Sequence, residues 1–187
     1  KRIYLAHEEL GNLIGYVGFP SENETEYYQE EFIGKSGIEL SYQNYLRGQL
    51  GEIVYQIQKN SLKKIKEIHP QPGKNLVLTI DADFQKKAYE LIDDYLKRNN
   101  YKKAAFIALN PNTGEIISLI SYPSYDPNWF LNNPEKVSQI FQDKNQPLFN
   151  RVIGGLYAPG STIKLIVAAG ALEEKIVSPE TEIYSAG

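Results

Sequence analysis

The chain has 187 residues, 42% of them apolar, with 20 basic and 23 acidic side chains and a net charge of −3. That length builds one medium domain or two small ones, the composition is not that of a disordered chain, and no apolar run approaches the ~20 residues that span a bilayer. The mild acidity argues against a nucleic-acid partner, and the lack of cysteine excludes disulfides, thiolate metal sites and a Cys nucleophile. With no methionine, a first residue Lys1 and a last stretch Ser185-Ala186-Gly187 that closes no element, the sequence reads as a fragment of a longer protein, compatible with an upstream signal or anchor segment.

Residues 1–73 read as a small glycine-punctuated module and its linker. Residues 13–18 form a short extended stretch, and residues 21–31, rich in glutamate, a surface loop or helix. Gly34-Lys35-Ser36-Gly37 has only a superficial likeness to a phosphate loop. It lacks the first glycine at the right spacing and no apolar strand precedes it, so nucleotide binding is not inferred. Residues 59–67 are polar and lysine-rich, a solvated strand or loop face. His69-Pro70-Gln71-Pro72-Gly73 then reads as a joint between modules, because proline pins φ and pushes its predecessor to an extended form.

Residues 74–187 are more regular. Residues 75–80 read as a strand. Asp81 or Asp83 caps a helix that runs to about Arg98, with Phe84, Ala88, Leu91, Ile92 and Tyr95 on one face. Residues 104–109 are a strand, Asn110-Pro111-Asn112-Thr113-Gly114 a turn, and residues 115–121 the returning strand. Residues 123–150 read as a long connection with little regular structure. The order strand, helix, hairpin gives an α+β class, with helices on an antiparallel sheet.

Ser-x-x-Lys occurs twice, at Ser61/Lys64 and Ser161/Lys164. The bare pattern is expected by chance, so context decides. Ser61 lies in the lysine-rich stretch and reads as an exposed polar residue. Ser161 follows Tyr157-Ala158-Pro159-Gly160 and opens an apolar segment, so it reads as lying at or just inside a helix N-terminus. Lys164 then sits about one turn on, on the same face. A serine needs a base to become a nucleophile, and a lysine buried among Ile163, Leu165, Ile166 and Val167 loses its preference for the charged form and can serve as one. The unpaired N–H groups of the helix start suit a developing oxyanion. The competing reading makes Ser161 an N-cap and Lys164 a snorkelling side chain of a core helix.

The segment from Arg151-Val152-Ile153-Gly154-Gly155-Leu156-Tyr157 to Ser161-Thr162-Ile163-Lys164 resembles the active-site segment of class B penicillin-binding proteins. The Gly-Leu-Tyr lead-in is more similar to the elongation-specific branch, penicillin-binding protein 2, than to the septal branch. Leu78-Thr79-Ile80-Asp81, residues 108–116 and Tyr122-Pro123-Ser124-Tyr125-Asp126-Pro127-Asn128 resemble the opening helix, hairpin and following segment of the transpeptidase domain. Gly15-Tyr16-Val17-Gly18, residues 34–39 and Leu46-Arg47-Gly48 resemble the non-catalytic, dimerisation-like pedestal. The resemblance implies a penicillin-binding/transpeptidase fold, with a pedestal in residues 1–73 and an incomplete transpeptidase domain in residues 74–187. It implies a peptidoglycan D,D-transpeptidase with Ser161 as acylated nucleophile and Lys164 as its base, needing no metal or organic cofactor. It implies stem peptides and β-lactams as ligands, a membrane glycosyltransferase and elongation-complex proteins as partners, no nucleic acid, and a place on the outer side of the bacterial inner membrane with the anchor outside this chain. The family's Ser-x-Asn and Lys-Thr/Ser-Gly elements do not follow Ser161 here. The polypeptide is therefore expected to be inactive alone, and its apolar helix to lack packing partners. Two other readings are a serine β-lactamase or β-lactam sensor, which leaves the first 58 residues unexplained, and a partner-docking module.

Overall fold

A computed structural model describes residues 2–58, 61–182 and 184. The chain divides into two compact units, Lys1–Gly154 and Gly155–Gly187. The first unit contains, in order, α1 (Gly11–Ile14), β1 (Val17–Gly18), β2 (Ile33–Gly34), α2 (Gly37–Ser41), α3 (Gln43–Leu46), β3 (Glu52–Gln58), β4 (Ser61–Ile68), α4 (Ala82–Arg98), β5 (Ala104–Leu109), β6 (Ile116–Tyr122), α5 (Trp129–Asn132), α6 (Pro134–Gln142) and α7 (Arg151–Gly154). The strands pair as three antiparallel two-stranded sheets, β1 with β2, β3 with β4 and β5 with β6. The class is α+β, as expected.

The β5–β6 hairpin forms where the sequence places it. Gly114 takes φ +76°, and its N–H reaches Asn110 O at 2.8 Å, while the Asn110 side chain accepts from the Asn112 N–H. Helix α4 also forms as expected. Asp81 Oδ1 caps it by accepting from the Phe84 N–H at 2.9 Å, and Lys97 and Arg98 complement the dipole in its last turn. Its buried stripe, however, is not the Phe84–Tyr95 face. Phe84, Leu91 and Tyr95 are exposed, whereas Gln85 and Leu96 are buried and Tyr89 and Ile92 half-buried. The covered stripe turns toward β6 because a polar residue anchors it there.

That residue is Gln85, with no exposed surface. Its Oε1 accepts from the Ser118 hydroxyl at 2.6 Å and the Leu119 N–H at 2.9 Å. Its Nε2 donates to Leu119 O at 2.8 Å and to Glu9 O at 2.6 Å. One amide thus uses two acceptor and two donor positions to join helix, sheet and N-terminal segment.

The N-terminal segment is bound further along. Asn12 Nδ2 donates to Ser124 Oγ and Pro147 O, and Asn12 O accepts from Asn150 Nδ2. Tyr4 and Asn128 exchange two hydrogen bonds, 3.1 and 2.9 Å, in the manner of a strand pair. Tyr16 stacks on Phe130 with centroids 3.5 Å apart, and both rings meet Tyr125 edge-on. Gly11 passes so near the Tyr125 carbonyl that a Cβ would lie 2.0 Å from its oxygen. Burial pushes the Tyr125 phenol up to about 12, and that of Tyr122 to about 12 as well, where it also donates to Asp93. His7 Nδ1 pairs with Asp126 Oδ2 at 2.9 Å, and this hydrogen bond, with the carboxylate's charge, raises the His7 pKa.

Three expectations are corrected. Residues 75–80 form no strand. Their links to β6 are the Asp81 N–H to Ile117 O and the Thr79 hydroxyl to Ile116 O, too few for a ladder. Residues 123–150 are not structureless but carry α5 and α6. Asn133 caps α6 through the Lys136 N–H, and Pro134 stands at its first turn, where its missing N–H costs nothing. Residues 13–18 are extended only at β1, since Leu13 and Ile14 close α1. Of the lysine-rich run, residues 61–67 lie in strand β4, exposed along its length, as a solvated strand face would be, and residues 59 and 60 lie outside the described residues. In the Gly34–Gly37 loop, Lys35 Nζ is held by Glu24 at 2.5 Å.

Replacing Gln85 by Leu strands the Glu9 and Leu119 carbonyls and the Leu119 N–H. Chemical denaturation is expected to show a loss of about 3 kcal/mol. The His7–Asp126 pair has a different signature. Because its folded pKa is raised, its contribution is complete below the unfolded value of ~6.5 and is lost as pH rises through the folded value. The gap in thermal midpoint between the parent and His7→Gln is therefore expected to be wider near pH ~6 than near pH ~8.5.

Candidate active site

The second unit carries a 3-10 turn, Gly160–Thr162, that runs directly into α8 (Ile163–Glu173). Gly160 takes φ +55°, a left-handed value that glycine adopts without strain, and a Cβ there would meet nothing within 4 Å. The Thr162 N–H reaches Pro159 O at 3.3 Å, and the Thr162 hydroxyl donates to the same carbonyl. Ser161 lies in the middle of this turn and Lys164 is the second residue of α8. On a continuous helical backbone, residues three apart are neighbours on one face. The structure thus brings the two candidate residues together at a helix start, where free N–H groups point toward the chain that enters it.

The other Ser-x-x-Lys pair is arranged differently. Ser61 and Lys64 stand on strand β4, where side chains three apart face opposite ways. Ser61 donates to Gln58 O, and Lys64 is paired with Glu67 at 2.5 Å.

One expectation for Lys164 fails. Both Ser161 and Lys164 are exposed, and so are their apolar neighbours, with Leu165 80%, Ile166 69% and Val167 62% exposed. The physical reason lies in α8 itself. It is apolar around its circumference, as a helix meant for enclosure is, yet the described residues of its unit supply only the 3-10 turn and irregular chain beside it. Among the described residues the burial expected around the Lys164 amine is absent. The expected lack of packing partners for α8 is what the structure shows. No sequence signal distinguishes enclosed from unenclosed for such a helix.

Comparison with known proteins adds the context. The family model of the penicillin-binding protein transpeptidase domain matches residues 104–187, and that of the penicillin-binding protein dimerisation domain matches residues 1–78. The peptidoglycan D,D-transpeptidase MrdA of Salmonella typhimurium is 33% identical over 99% of this chain, which spans 31% of that relative. The structure of Pseudomonas aeruginosa PBP2 in complex with WCK 5153 superimposes with a TM-score of 0.72 at 31% identity, over 97% of this chain and 36% of that one. A structure described as the structural coordination of polymerization and crosslinking by a peptidoglycan synthase complex gives a TM-score of 0.79 at 33% identity, over 96% of this chain and 34% of that one. The chain belongs to the penicillin-binding proteins, with dimerisation and transpeptidase segments in that order. Within the family it stands in the penicillin-binding protein 2 branch, and it spans about a third of the length of the curated relatives it matches. Among the described residues no helix is long and apolar enough to cross a membrane.

The exposure of α8 makes a direct prediction. Leu165→Lys is expected to change the unfolding free energy by less than ~0.5 kcal/mol, against the ~2–5 kcal/mol of an enclosed leucine lost from a core. Urea titration of both chains checks it.

Proposed function

We propose that the longer protein represented by this chain is a peptidoglycan D,D-transpeptidase that works through a serine acyl-enzyme. The observation that carries the reading is the placement of Ser161 and Lys164 one turn apart at a helix start, within the segment matched by the transpeptidase family model. Ser161 Oγ attacks the carbonyl between the two terminal D-alanines of a stem peptide, and Lys164 takes its proton. The amide bond breaks, the terminal D-alanine leaves with a proton on its nitrogen, and an ester to Ser161 remains. An amine from a neighbouring stem attacks that ester, forms the cross-link and returns the hydroxyl to Ser161. A β-lactam opens on Ser161 in the same way.

In this proposal residues 1–73 are pedestal and linker, and residues 74–187 the first part of the transpeptidase domain. The catalytic part faces away from the cytoplasm, anchored by a segment outside this chain. A glycosyltransferase is the proposed partner, supported by the likeness to a synthase complex that couples polymerization and crosslinking. The 187-residue chain alone is proposed to be inactive, because Lys164 is exposed and the later family motifs are absent from it.

The test is intact mass after incubation with a penicillin. The longer protein, with the later motifs in place, is expected to gain one adduct that Ser161→Ala abolishes and that Lys164→Ala slows by about 10³-fold. The 187-residue chain is expected to gain none. An adduct on the longer protein that survives Ser161→Ala defeats the assignment.

A further inference from the structure

Helix α6 has one stripe with a mixed character. Lys136, Gln139 and Ile140 follow each other at helical spacing and, with Asp143 just past the helix end, Trp129 and Pro123, line a cleft of about 210 Å³. The apolar members are the half-buried Trp129, the buried Ile140 and Pro123. The polar members carry unused hydrogen-bonding capacity. Among the described residues the Gln139 side chain has no hydrogen-bond partner, and the Asp143 carboxylate accepts only from the Asn145 N–H, through Oδ1. Lys136 makes no ion pair. Its Nζ lies over the Trp129 ring, 5.7 Å from the ring centre, on an exposed side chain that a stacked ligand displaces into water.

This set of groups selects a chemistry. One cation and one carboxylate cancel, so the cleft does not favour an anion such as phosphate. An apolar wall, an aromatic ring and separate donors and acceptors fit a neutral ligand rich in hydroxyls and amides. The C–H face of a pyranose is apolar and slightly positive, and it complements the negative face of an indole. The volume lies below the ~300–1,000 Å³ of drug-sized pockets, so it admits one ring. The cap and first-turn proline of α6 fix the stripe in advance of any ligand.

We propose that this cleft is a saccharide subsite that takes an N-acetylated amino-sugar unit of the peptidoglycan glycan, Trp129 stacking on the ring, Gln139 and Asp143 binding its amide and hydroxyls. The choice of glycan rests on the transpeptidase reading; the chemistry of the cleft does not.

Trp129 is the single tryptophan of the chain, so its fluorescence reports on the cleft directly. The 187-residue chain is titrated with tri-N-acetylchitotriose, with maltotriose as the control sugar. A saturable change with Kd of about 1 mM is expected for the first and none for the second. Gln139→Ala and Asp143→Ala are each expected to weaken binding about fivefold without altering the circular dichroism, as loss of one hydrogen bond does. Absence of saturation, an equal response to maltotriose, or indifference to both substitutions overturns the subsite. Acylation at Ser161 of the longer protein is measured separately. Acylation without sugar binding defeats the subsite alone, and sugar binding without acylation defeats the transpeptidase reading alone.

Discussion

The architecture of the larger unit turns on one buried amide. Gln85 has no solvent to bond with, so each of its partners must be supplied by the fold. They come from two places, the buried strand β6 and the backbone of Glu9 near the N-terminus, while α4 carries the amide. An apolar side chain there would let α4 roll on the sheet. The amide admits one rotation only, because a turn of the helix that breaks one of its bonds strands a buried polar atom. That constraint decides which face of α4 is covered. It leaves Phe84 and Leu91 outside, beside Phe106 and Ala88, in an apolar groove of about 260 Å³.

Around this anchor the binding is mostly polar and specific. The Asn12 and Tyr4–Asn128 contacts set side-chain amides against backbone groups, and His7–Asp126 pairs two side chains. Arg151 continues the pattern at the end of the unit, buried, with its guanidinium donating to the carbonyls of Gln146, Phe149 and Asn145 and its N–H to Ser121 Oγ. Polar matching of this kind adds little net energy per bond but penalises every alternative packing. The site-bearing unit is built on the opposite plan. Its helix is apolar all round, as a helix meant for enclosure is, and its two candidate residues are close through local geometry alone.

That contrast explains what could be read from the sequence. Local signals were sufficient for the β5–β6 hairpin, whose turn chemistry is explicit, for the span of α4, and for the proximity of Ser161 and Lys164. They failed where a tertiary partner decides. The buried stripe of α4 contains Gln85, so hydrophobic periodicity selected the wrong face. Residues 75–80 have strand-like composition, but strands are defined by pairing and these residues have no backbone partner strand. Helix α6 was signalled by Asn133-Pro134, yet the surrounding asparagines and prolines suggested irregular chain. The burial of Lys164 was inferred from its sequence neighbours, and neighbours in sequence do not enclose a helix.

The contacts that secure the N-terminal segment also order events in time. Tyr4 meets Asn128 across 124 positions, and Asn12 meets Pro147 across 135. Closing loops of that size must precede any reward from the contacts, whereas the β5–β6 hairpin closes over a few residues. The segment that precedes the hairpin in this unit is consequently expected to settle after it. The groups it binds belong to residues 124–150, so its contacts require that stretch to be in place.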